Sequence, residues 1–153
     1  MNFYRNKVAV ITGAGSGIGR ELAVQLARTG ARLALSDIQE AGLSETVEAC
    51  KTLGAEVRGY SLNVASHEAF QAHASEVQRD FGAAHLLFNN AGVTLISTIE
   101  HASLDELKWQ LDVNLMGVIY GTKAFLPIMR KQKQGVVINL SSIFGWLTFP
   151  AQG

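Results

Sequence analysis

The chain has 153 residues, no net charge and 48% apolar residues. That is one ordinary domain, long enough to bury a core and too apolar for disorder. A neutral chain without a basic block is not built for electrostatic binding of nucleic acid, so no such partner is expected.

The one cysteine, Cys50, has no disulfide partner and no neighbour at metal-ligand spacing. Its helical context marks it as a small core residue, and no metal site is expected. The early apolar run, residues 8–11, is far too short for a leader or a membrane span. No membrane partner is expected, and the chain reads as cytoplasmic.

Residues 7–13 (KVAVITG) predict a short buried strand. A helix follows over 17–30, with Ile18, Leu22 and Leu26 on one face and Gly30 closing it. Residues 32–37 (RLALSD) predict a second strand. The next helix puts Leu43, Val47, Cys50 and Leu53 on one stripe and closes at Gly54. Residues 56–64 predict a third strand, after which Ser66 caps a helix whose Phe70, Val77 and Phe81 share a face. Residues 85–92 (HLLFNNAG) predict a fourth strand, apolar through its first half as fits a strand covered on both sides. Ser103 and Glu106 form a capping box that opens a long helix. Leu107, Leu111, Leu115 and Val118 continue its stripe, and Pro127 is expected to bend it near its end. Lys131 and Lys133 suit the C-terminal end of its dipole. Residues 135–142 (GVVINLSS) predict a fifth strand.

Strands and helices thus alternate five to four, which predicts an α/β fold with a doubly wound parallel sheet in three layers. Such sheets bind ligands at the carboxyl ends of their strands. At the first of those ends stands TGAGSGIG, residues 12–19, which fits T-G-x-x-x-G-x-G through Gly13, Gly17 and Gly19. One glycine permits the tight turn, and the others let a pyrophosphate approach the backbone N–H groups that open the helix. Asp37 ends the second strand, eighteen residues past Gly19. That is close to the spacing of about 20 at which an acid meets ribose hydroxyls. A carboxylate there accepts both hydroxyls and repels a 2′-phosphate. Neither Ser16 nor Ile38 supplies a cation for such a phosphate, so NAD is expected over NADP.

With NNAG (residues 89–92), Asn114 in VNLMGV and INLSS (residues 138–142), the set resembles the short-chain dehydrogenase/reductase family in order and spacing. The resemblance covers essentially all of residues 1–153 and points to the single-domain branch with one NAD(P)-binding Rossmann domain. It implies that Ser16, Gly17, Ile18 and Gly19 meet the coenzyme with Gly13, and that Ile38, Asn63 and Val64 flank the adenine. Asn63 departs from the family's usual aspartate, so its contact would be uncharged. The resemblance also implies that Asn90, Ala91 and Gly92 lie beside the ribose, with Asn90 pinning the sheet. It makes Ser142 the catalytic serine that orients the substrate oxygen, and Asn114 the residue that disturbs its helix and holds a water in a proton relay.

The reaction it implies is hydride transfer between a nicotinamide and a small-molecule alcohol or ketone. The accompanying proton needs an acid/base matched to near-neutral pH, which the family supplies from Tyr-x-x-x-Lys. None of Tyr4, Tyr60 and Tyr120 has a lysine four residues on. The pair is therefore expected beyond Gly153, in a longer protein, with this chain truncated after the fifth strand and inactive alone. Two other readings stay open: a non-catalytic NAD-binding sensor or scaffold, and an NADPH-dependent ketoreductase of acyl thioesters. The resemblance further implies a homodimer or homotetramer built on the helix that carries Trp109 and Tyr120.

Overall fold

A computed structural model describes residues 3–147. The strands are β1 (Val8–Thr12), β2 (Arg32–Asp37), β3 (Val57–Ser61), β4 (Leu86–Asn89) and β5 (Val136–Asn139). They form one parallel sheet in the order β3-β2-β1-β4-β5. The register sets Thr12 level with Ser36, Asp37 with Ser61, and Asn89 with Asn139.

The helices are α1 (Gly17–Arg28), α2 (Glu40–Thr52), α3 (His67–Phe81), α4 (Leu104–Leu111) and α5 (Gly117–Lys131). Strand side chains alternate between the two faces of the sheet, so each face carries its own core. Ala9, Ile11, Leu33 and Leu35 pack with α1 and α2. Val8, Val10 and Leu87 pack with Phe70 and Val77 of α3 and with Phe125 and Met129 of α5. Phe70 and Phe125 are wholly buried. Truncating either to alanine would cost about 3–5 kcal/mol. β1 is buried at every residue because helices cover both its faces. No helix among the described residues is long and apolar enough to cross a membrane.

Local chemistry sets several boundaries. The Ser66 hydroxyl accepts from the Ala69 N–H and starts α3. At α4, Ser103 Oγ accepts from the Glu106 N–H while the Glu106 carboxylate accepts from the Ser103 N–H. Cys50 is buried on the α2 stripe, and burial pushes its thiol pKa up. Thr46 shares that buried face, whereas Leu53 is exposed as the α2 cap.

Two predicted stripes need correction. On α1 the buried face is Gly19, Ala23, Leu26 and Ala27, and Ile18 is 71% exposed. The long helix is not one α-helix. Residues Asp112–Met116 form a π turn between α4 and α5, closed by the Gly117 N–H on the Asp112 carbonyl. A π turn holds one residue more than an α turn and so rotates the helix downstream of it. The buried positions are therefore Val113, Gly117, Gly121, Phe125 and Met129, while Leu111 and Leu115 face outward. The glycines let α5 lie close on β4 and its neighbours. A Cβ on Gly121 would stand 2.5 Å from Asn89 Oδ1 and 3.0 Å from the Phe70 ring. The α5 helix runs through Pro127 to Lys131.

His73 of α3 lies 2% exposed among Tyr60, Phe70 and Phe125. Neither ring nitrogen has a hydrogen-bond partner among the described residues. Burial alone pushes its pKa from 6.5 down to about 4, so the folded chain keeps the ring neutral. The unfolded chain binds that proton first. Stability therefore falls as pH drops from 6.5 to about 4. The loss attributable to this ring is about 3 kcal/mol. Denaturant titrations at pH 7 and pH 4 should show wild type losing that much more than His73→Leu; equal losses would refute it.

Candidate functional site

The carboxyl ends of β1, β2 and β4 open into one cleft of about 800 Å³. It lies where α1 leaves the sheet on one side and the chain after β4 leaves toward the other. Gly13, Ser16, Gly17, Ile18 and Gly19 line it on one flank, and Asp37 and Ile38 at the end of β2. Asn63 and Val64 line it after β3, and Asn90, Ala91 and Gly92 after β4. Every residue assigned to the coenzyme from sequence thus borders the same space. The exposure of Ile18 has its reason here: it faces the cleft and not the core.

The glycine turn is shaped by close approach. Gly13 has φ of +65°, and a Cβ there would stand 2.8 Å from Ala91 Cα. A Cβ on Gly19 would overlap the Gly13 carbonyl oxygen. Gly17, at φ +51°, has open space where its side chain would be. Ser16, the N-cap of α1, makes no side-chain capping bond, and the first turn carries no acid. The first N–H groups of a helix lack intrahelical acceptors. With no side-chain cap and no acid in the first turn, they present a positive dipole end to the cleft, which suits an anion.

Asp37 holds the opposite flank. Its Oδ2 accepts from the Gly15 N–H and its Oδ1 from the Gln39 N–H, both at 2.8 Å. Each oxygen keeps acceptor capacity for one further donor. Asn63 Oδ1 accepts from the Ala65 N–H at 3.0 Å, an Asx turn that fixes the loop after β3.

The floor is a tie between β1 and β4. Thr12 Oγ1 accepts from the Asn90 N–H at 3.1 Å and the Ala91 N–H at 3.0 Å. Asn90 Nδ2 donates to the carbonyls of Thr12 and Gly13 at 2.8 and 3.2 Å. Asn90 thus ties the end of β4 to the end of β1, with Thr12 as its equal partner. Asn89, the first of the pair, is buried and donates from Nδ2 to Asn139 Oδ1 at 2.8 Å, joining β4 to β5.

Asn114 sits in the π turn. Its Oδ1 accepts from the Val93 N–H and its Nδ2 donates to the Val93 carbonyl, both at 2.8 Å. The side chain therefore clasps the loop after β4, and reaches the cleft through Val93, which lines it. Ser142 lies past β5, exposed, as the N-cap of a 3-10 turn over Ile143–Gly145. Its Oγ accepts from the Phe144 N–H at 3.2 Å, which leaves the hydroxyl hydrogen available. Ser142 and Asn114 are not among the residues bordering the cleft itself.

Sequence reasoning missed Trp109, Val113 and Gln39, which also border the cleft. The sequence offers Trp109 only as a residue of the oligomer helix; it stands on α4, upstream of the π turn, and borders the cleft from there. None of the three tyrosines lines the cleft. Tyr60 donates to Asp80 at 3.0 Å, and burial, with Asp80 next in weight, raises its pKa, the wrong direction for a base near neutral pH. Among the described residues no group of His, Cys, Asp and Glu side chains could hold a metal ion.

A family model described as short chain dehydrogenase matches residues 7–153. SadH of Mycobacterium tuberculosis, named as an oxidoreductase, is 44% identical over 99% of this chain and 55% of its own length. Human estradiol 17-beta-dehydrogenase 11 is 35% identical over 94% of this chain and 48% of its own. A short-chain dehydrogenase/reductase from Burkholderia phymatum, solved in complex with NAD, superposes with a TM-score of 0.95 at 41% identity, over 98% of this chain and 54% of that one. NAD+-bound xylitol dehydrogenase gives 0.94 at 32% identity, over 98% and 58%. The chain spans about half the length of the curated relatives it matches. With the glycine turn, Asp37 and the Thr12–Asn90 tie around one cleft, these matches establish that the chain belongs to the short-chain dehydrogenase/reductase family.

Proposed function

We propose that the full-length protein is an oxidoreductase that uses NAD in preference to NADP and interconverts an alcohol and a ketone. One observation supports this most: an uncapped, acid-free helix N-terminus and the Asp37 carboxylate face the same cleft. Gly17, Ile18 and Gly19 offer N–H groups to a pyrophosphate, with Gly13 and Ser16 shaping the turn. Asp37 accepts two ribose hydroxyls on its remaining lone pairs and repels a 2′-phosphate. Ile38, Asn63 and Val64 would flank the adenine, while Asn90, Ala91 and Gly92 would border the ribose. A nicotinamide coenzyme held by these residues would supply or take up the hydride at the substrate carbon.

The chain's own chemistry concerns orientation. Ser142 Oγ already accepts from Phe144, so its hydrogen is free to donate to the substrate oxygen. Asn114 fixes the Val93 peptide at the cleft mouth. None of Tyr4, Tyr60 and Tyr120 borders the cleft, so none of them is assigned the proton transfer. Val93 and Trp109 at the cleft, with exposed Ile143, Phe144 and Trp146 after β5, favour a hydrophobic alcohol or ketone. Leu104, Leu111, Leu115 and Ile119 form an exposed apolar stripe along α4 and α5 that suits a second copy.

Fluorescence titration should show the full-length protein binding NADH at least tenfold more tightly than NADPH, about 1.4 kcal/mol. Asp37→Ala should remove most of that preference, and the reverse order in wild type would overturn the coenzyme assignment. Ser142→Ala should lower kcat about 100- to 1,000-fold with NADH affinity nearly unchanged. A full-length protein that binds NADH but turns over nothing in a carbonyl panel would instead be a sensor. Sedimentation should show Leu115→Glu at half the wild-type mass or less; a wild-type monomer would sink the oligomer reading.

A further inference from the structure

Gly15 lies inside the glycine turn yet does not border the cleft. The peptide group before it donates its N–H to Asp37 Oδ2 at 2.8 Å. The peptide group after it gives its carbonyl oxygen to Arg20 Nη2 at 2.6 Å. Glycine has the widest backbone freedom of any residue, so both of its torsions must be held from outside. Here Asp37 holds one side and Arg20 the other.

Arg20 is itself fixed in several directions. Its Nη2 also donates to the Gly42 carbonyl at 3.2 Å and pairs with Glu45 Oε2 at 2.9 Å. Its Nε donates to Thr46 Oγ1 at 3.1 Å, and Thr46, fully buried, donates back to the Gly42 carbonyl at 3.0 Å. The packing is tight enough to transmit position. A Cβ on Gly42 would stand 2.5 Å from the Gly15 oxygen, and one on Gly15 would stand 2.9 Å from Asp37 Cγ. Arg20 thus rivets the glycine turn to the first turns of α2, and the turn abuts the Asp37 carboxylate.

We infer that Arg20 is a positioning residue for coenzyme choice: by holding Gly15 it sets the orientation in which Asp37 meets the ribose. This rests on the reading of Asp37 as the ribose acid. The guanidinium does not touch the coenzyme in this role. Its charge is engaged by Glu45 and by two carbonyls, so it is not offered to a 2′-phosphate.

The test is the ratio of NADPH to NADH dissociation constants, titrated by nicotinamide fluorescence on the full-length protein. Arg20→Met keeps the aliphatic stem and removes the hydrogen bonds. It should weaken NADH about tenfold and NADPH far less, shrinking the ratio about tenfold. Arg20→Lys, which retains one donor for the Gly15 carbonyl, should restore part of it. In an Asp37→Ala background Arg20→Met should leave the ratio unchanged, because the residue it positions is gone. Equal weakening of both coenzymes, or a full effect that persists without Asp37, would make Arg20 a merely structural clamp and overturn the inference. If Arg20→Met does not fold, Thr46→Val, which removes one Arg20 acceptor, should shrink the ratio about threefold; an unchanged ratio there also overturns it. A wild type with no preference for NADH sinks the Asp37 reading and this inference with it. A preference left undiminished in Arg20→Met sinks this inference alone.

Discussion

The cleft depends on the hydrogen bonds that join the end of β1 to the end of β4. These two strands are neighbours at the point where the sheet order reverses, and the chain leaves them in opposite directions. Without a tie the two loops would be free to drift apart. Thr12 Oγ1 accepts two N–H groups from the β4 loop, and Asn90 Nδ2 donates two more bonds to carbonyls of the β1 loop. These four bonds, all donated from the β4 side, fix the separation of the glycine turn from Ala91 and Gly92. Everything placed on those loops inherits that spacing, including the N-terminus of α1 and the Val93 peptide.

The outer flanks are held by a different principle. Asp37, Gly15, Arg20 and Thr46 form a chain of side chain and backbone contacts running from β2 through the turn to α2. Asn114 does the same on the far side, with one amide closing both polar groups of Val93. In each case a polar side chain satisfies backbone groups that a loop would otherwise leave to water. The outer loops of the site thus draw hydrogen bonds from side chains on the helices beside them.

Much of this was legible in the sequence. The strands were marked by apolar runs, α3 by Ser66 and its phenylalanines, and α4 by Ser103 and Glu106. The glycine spacing, Asp37 and NNAG located the cleft. Ile18 was misplaced because hydropathy cannot tell an apolar residue facing a ligand cleft from one facing a core. The stripe of Leu107, Leu111, Leu115 and Val118 was misplaced for another reason. It assumed one unbroken buried face, whereas α4 buries none of its residues and the π turn changes the phase after Asp112. The buried face beyond it uses Gly117 and Gly121, which no hydropathy pattern singles out. Thr12 and Arg20 act through backbone groups, and that partnership has no signature in residue type.

The π turn makes chain length a structural quantity. Ordinary loops absorb an added or lost residue by bulging at the surface. Between Asp112 and Met116 there is no such slack, because helix continues on both sides. Losing one residue there would convert the segment to plain α-helix and turn α5 by about 100° about its axis. Phe125 and Met129 would swing off the sheet, and Asn114 would leave Val93 in the same motion. The segment behaves as a phase key between two halves of one helix: the upstream half is set by the cleft, the downstream half by the core, and one surplus residue keeps both in step.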